Sequence, residues 1–78
     1  MQSTFDQAKK TFAANVREAR LAAGVSQEEL AFKAGIDRTY ASQIERAIAN
    51  PSLGITCSIA DALGCTLIDL LAARDRED

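Results

Sequence analysis

Ser26-Gln27-Glu28-Glu29-Leu30-Ala31-Phe32-Lys33-Ala34-Gly35-Ile36-Asp37-Arg38-Thr39-Tyr40-Ala41-Ser42-Gln43-Ile44-Glu45-Arg46 is the stretch that decides the fold. It opens as a capping box: the Ser26 hydroxyl can accept from the Glu29 amide while the Glu29 carboxylate reaches back to the Ser26 amide. Leu30, Ala31 and Ala34 then share one helical face, and Gly35 stops the helix. Only Gly35 and Ile36 precede the next cap, Asp37. Two short helices joined this tightly cannot lie antiparallel and must cross steeply, so residues 26–47 are expected to form a helix-turn-helix.

The second helix of the pair, expected over residues 38–47, has two chemically distinct sides. With Arg38 at zero and about 100° per residue, Ser42 falls at about 40°, Arg46 at about 80°, Thr39 at about 100° and Gln43 at about 140°. Tyr40, Ala41, Ile44 and Ile48 fall between about 200° and 300°. An apolar root therefore carries a polar crown. Arg can give paired hydrogen bonds to guanine and Gln to adenine, and Ser and Thr suit either. Crown residues near the helix start reach deepest into a groove. Arg38, Thr39, Ser42 and Gln43 are accordingly the candidates for base contact, and Arg46, further along, for phosphate. Gln27 sits at the first turn of the preceding helix, where unsatisfied amides and the positive dipole end attract phosphate. Tyr40 can bury its ring and extend its hydroxyl to the backbone of a nucleic acid. Glu45, at about 340° between crown and root, needs a cationic partner beside an anionic ligand, and Arg20 is the expected one.

Outward from this centre, Phe5, Phe12, Val16 and Ala19 make an apolar stripe that predicts a first helix over about residues 5–23, closed by Gly24. Asn50-Pro51-Ser52 breaks the chain after the crown helix. A fourth helix is expected over residues 53–63, stopped by Gly64, and a fifth, capped by Thr66, over about residues 67–73. The tail, residues 74–78, is strongly charged and is expected to fray. The 78 residues suffice for one all-α, five-helix domain with a core over about residues 5–73.

Composition narrows the function. The net charge of −2 argues against indiscriminate nucleic-acid binding, but the field that matters is local. Lys9, Lys10, Arg17, Arg20, Lys33, Arg38 and Arg46 make residues 7–46 mildly basic, whereas Asp61, Asp69, Asp75, Glu77 and Asp78 make the C-terminal end acidic. There is no His, no Gly-rich phosphate loop and no nucleophile beside an evident base, so no enzyme is expected. Cys57 and Cys65 without His cannot form the usual zinc site; no metal or cofactor is expected, and the thiols are expected to act as small apolar residues. No apolar run reaches the roughly 18 residues of a membrane span. The N-terminus lacks a signal peptide, so a cytoplasmic protein without membrane contact is expected.

Residues 20–31, Arg-Leu-Ala-Ala-Gly-Val-Ser-Gln-Glu-Glu-Leu-Ala, followed by Gly35 to Arg46, Asn50-Pro51-Ser52-Leu53 and Ile59-Ala60-Asp61-Ala62-Leu63-Gly64, resemble the lambda-repressor/Cro-like helix-turn-helix family. The likeness covers about residues 12–73 without insertion. Within that family the Asp37-Arg38-Thr39-Tyr40 start and the compact length are most similar to the controller proteins of restriction–modification systems. That resemblance implies a homodimeric transcription regulator that binds paired operator sites on double-stranded DNA, activating and later repressing its own gene and the restriction gene. It implies base-reading positions at Arg38, Thr39, Ser42 and Gln43, backbone or groove-edge positions at Gln27, Tyr40 and Arg46, and a structural ion pair between Arg20 and Glu45. Contact with RNA polymerase is implied if the protein activates. A phage-type repressor or an antitoxin-like regulator of the same fold remains open.

Three residues depart from the family pattern. Ala49 stands where a basic, phosphate-touching residue is common. Gln43 stands where the controllers often have a small residue, and Thr56 replaces a common Leu, so Leu53, Thr56, Ile59, Ala60 and Leu63 form a weaker apolar stripe on the fourth helix. One small module contacts few bases, and two-fold dimers reading half-sites about 34 Å apart overcome that limit. Residues 67–71 are apolar at every position but Asp69, more than one face of a short helix can bury. Ile55, Leu67, Ile68 and Leu71 are therefore expected to form a homodimer seam within the C-terminal helices, residues 53–73.

Overall fold

A computed structural model describes residues 3–73, and among these every regular element is a helix: α1 Thr4–Ala22, α2 Gln27–Ala34, α3 Arg38–Glu45, α4 Leu53–Leu63 and α5 Leu67–Leu71. The reading of residues 74–78 lies outside the described residues. The helix starts follow local chemistry. Ser3, Ser26, Ser52 and Thr66 sit in extended backbone, and each hydroxyl accepts the amide three residues on. This satisfies one orphan donor per helix. The reciprocal capping box closes at Thr66, where the Asp69 carboxylate accepts the Thr66 amide at 3.1 Å. At Ser26 the structure shows the hydroxyl half, from the Glu29 amide at 3.0 Å, and the exposed Glu29 does not complete the box. Asp37 takes the cap backbone of α3 but makes no side-chain cap bond.

The core joins all five helices. Phe12 and Val16 of α1 meet Leu30 of α2, Ile44 of α3, Ile59 and Ala60 of α4 and Leu70 of α5, with Ala49 from the turn after α3. The α2–α3 turn is as tight as its sequence: Gly35 is left-handed at φ 71°, and the Ile36 amide returns to the Ala31 carbonyl at 2.9 Å. That bond satisfies a C-terminal carbonyl of α2 and turns the chain directly into α3.

Five further sequence expectations change. α3 ends at Glu45 rather than near residue 47, because Ala47 takes a left-handed conformation at φ 59° and the Ile48 amide closes back on the Gln43 carbonyl at 2.9 Å. The same reversal carries Ile48 off the apolar root, leaving it 57% exposed. Phe5, in the first turn of α1, lies beyond the core; half of it is exposed, and the Lys9 ammonium sits 5.0 Å from its ring centroid. Leu53, the first residue of α4, is exposed for the same reason of position, so the buried face of α4 reduces to Ile59 and Ala60. α5 also stops early, because Ala72 is already extended.

Two buried polar side chains come from α1. Arg20 belongs to the site described below. Asn15 is fully buried and its amide donates to the carbonyls of Leu70 and Ala72, both at 2.9 Å. A five-residue helix has too few internal bonds to hold itself. Asn15 satisfies carbonyls at its C-terminal end and ties it to α1.

Candidate nucleic-acid interface

The geometry of α3 follows from three elements acting on one eight-residue helix. Ala41 and Ile44 are buried against the core and set its rotation about its own axis. The Gly35-Ile36 turn sets its start. α1 fixes its far end through Arg20, whose Nε donates to Glu45 Oε2 at 2.6 Å and whose Nη2 donates to Oε1 at 3.0 Å. The Arg20 Nη1 also donates to the Val25 carbonyl at 2.9 Å, and the Gln27 amide donates to Glu45 Oε1 at 3.2 Å. The Glu45 side chain is 2% exposed. A carboxylate so enclosed is tolerable because the guanidinium fork meets both its oxygens and a third donor joins them.

The consequence is electrostatic as well as mechanical. Glu45 lies next to the crown, and an unmatched anion there would repel phosphate. Held by Arg20 and Gln27, its charge is neutralised in place. Beside it, Arg38, Thr39 and Arg46 are exposed, and Ser42 and Gln43 are partly exposed. Their short helix presents hydrogen-bond donors and acceptors outward from a fixed base. Tyr40 is partly buried and packs against the core. The Gln27 side-chain amide carries two hydrogens and uses one on Glu45. Among the described residues, every buried side-chain nitrogen or oxygen has a partner.

The C-terminal apolar residues divide into two pairs. Ile68 is 79% exposed and Leu71 46% exposed. Ile55 and Leu67 are partly buried and pack against the core of their own chain. Ala49 is 9% exposed and part of the core, so the turn after α3 spends this position on packing. Cys57 is exposed and Cys65 partly buried, and they are not bridged to each other. No described helix is long and apolar enough to cross a membrane.

Comparison with known proteins gives a consistent group. A family model described as helix-turn-helix matches residues 16–70. Control protein C.BamHI of Bacillus amyloliquefaciens is 46% identical over 61 residues, which are 77% of this chain and 75% of that protein. A hypothetical transcription factor of Neisseria meningitidis is 43% identical over 63 residues, 81% of this chain and 59% of that protein. Among solved structures, the restriction–modification controller protein C.AhdI of Aeromonas hydrophila superposes with a TM-score of 0.76 at 41% identity, over 78% of this chain and 92% of that one.

Proposed function

The chain belongs to the helix-turn-helix family, and on that premise we propose that it is a sequence-specific, DNA-binding transcriptional regulator of the restriction–modification controller type. It is not an enzyme. The observation that carries the reading is the exposed polar crown of α3 on a base locked by the buried Arg20–Glu45 pair. Recognition of base edges needs side chains held at a defined depth and angle, and this anchor supplies both. Arg38 and Thr39, at the helix start, and Ser42 and Gln43, one turn on, contact base edges. Gln27, Tyr40 and Arg46 contact the sugar–phosphate backbone. Ala49 contributes no phosphate contact, and Gln43 gives the protein an operator preference of its own.

The regulator acts as a homodimer on paired half-sites. Ile68 and Leu71 form the exposed centre of the seam, and Ile55 and Leu67 bury their remaining surface there. A two-fold pair places two copies of α3 in successive major-groove turns. The protein works in the cytoplasm, and where it activates, it does so through contact with RNA polymerase. Duplex carrying the sequence upstream of the gene should bind far more tightly than a random-sequence duplex, by on the order of a thousandfold or more at moderate salt. Equal affinity for the two would refute a sequence-reading role.

A further inference from the structure

We propose that the groove between α1 and the turn after α3 is a second contact surface for the DNA sugar–phosphate backbone, with Lys10, Arg17 and Arg46 as its cations. This rests on the DNA-binding reading above. Lys10, Ala14, Arg17 and Leu21 recur at helical spacing on one face of α1, and that face borders a groove of about 400 Å³ whose opposite wall is Arg46 and Ala47. Ala13, Ala14 and Ala47 also line it. Lys10, Arg17 and Arg46 are all exposed.

Charge argues for an anionic occupant. Two carboxylates also border the groove, Glu45 and Glu18. Glu45 is already matched by Arg20. The three cations therefore outnumber the remaining carboxylate. The chain as a whole carries a net charge of −2, so its attraction to phosphate depends on cations gathered locally. Position argues for DNA as the source of that charge. Arg46 belongs both to the α3 crown and to the groove, so the two surfaces are continuous. Glu45 links the same groove to Gln27 at the start of α2. The turn after α3 adds no cation beyond Arg46, since residues 47–50 are Ala, Ile, Ala and Asn. Ala49 itself is buried. Lys10 and Arg17 supply from α1 the positive charge that this turn lacks.

The test is the salt dependence of binding. Each phosphate contact contributes about 0.9 to the slope of log K against log salt. The double variant Lys10→Ala/Arg17→Ala should flatten that slope by about 2 per protomer. It should do so equally on the upstream duplex and on a random-sequence duplex, with the preference between them retained and the melting temperature unchanged. Lys9→Ala is the matched control, because its ammonium lies over the Phe5 ring and outside this groove. A double variant with the wild-type slope would overturn the groove and leave the crown reading standing. So would Lys9→Ala flattening the slope as much as Arg17→Ala alone, since the effect would then be one of overall charge. Wild-type protein that binds neither duplex would instead remove the DNA-binding reading, and the groove with it.

Discussion

α3 and α5 are both too short to stand alone, both carry exposed residues assigned to a partner, and both are fixed to α1 by one buried polar side chain. They differ in how that side chain holds them. Arg20 meets a side chain, Glu45, in a paired ionic contact, whereas the Asn15 side-chain amide donates to backbone, the carbonyls of Leu70 and Ala72. The ionic anchor fixes orientation at both carboxylate oxygens and removes a charge from beside the crown. The amide anchor fixes position without any charge, which suits an apolar face. The long helix is thus the frame, and two of its polar residues set α3 and α5 on it.

The largest effect should come from breaking the ionic anchor. Glu45→Ala leaves the Arg20 charge enclosed without its partner and should lower stability by about 3–5 kcal/mol, read by urea denaturation. Asn15→Ala should cost less, about 2 kcal/mol, because it strands neutral carbonyls. It should also weaken dimerisation by loosening α5. A larger loss from Asn15→Ala than from Glu45→Ala would invert the comparison. Ile68→Asp places a charge on the exposed apolar face. Sedimentation equilibrium should show a dimer weakened by tenfold or more, about 1.4 kcal/mol, with monomer stability changed by no more than about 0.5 kcal/mol. An intact dimer would remove α5 from the seam. The smallest effect concerns the end of α3. Ala47 is left-handed without being Gly, so Ala47→Gly should stabilise by about 0.5–1 kcal/mol, seen as a higher melting temperature.

The same contrast explains what can be read from the residues. Helix starts are legible because Ser26, Ser52 and Thr66 carry the capping oxygen themselves, and the α2 and α4 stops because Gly35 and Gly64 are the residues that turn left-handed most easily. The end of α3 carries no such mark, since Ala47 adopts that conformation against its own preference. Arg20 and Glu45 are side chains of opposite charge on elements that face each other, so their pairing leaves a signal in the sequence. The tie from Asn15 to α5 leaves none, because its amide donates to main-chain carbonyls that any residue would present. Phe5 and Leu53 fit the apolar periodicity but lie in first turns beyond the reach of the core, a matter of helix placement rather than pattern. The crown residues are found by periodicity, and the basic groove escapes it because its walls come from distant parts of the chain.

The most direct test of the crown as the base-reading surface is Arg38→Ala, measured by equilibrium binding to the upstream duplex and to a random-sequence duplex. Arg38 is exposed and belongs to neither anchor, so the fold should be unaffected. Affinity for the upstream duplex should fall by on the order of 10- to 100-fold per half-site, while affinity for the random duplex changes little. A folded Arg38→Ala protein that keeps its full preference for the upstream duplex would contradict the account.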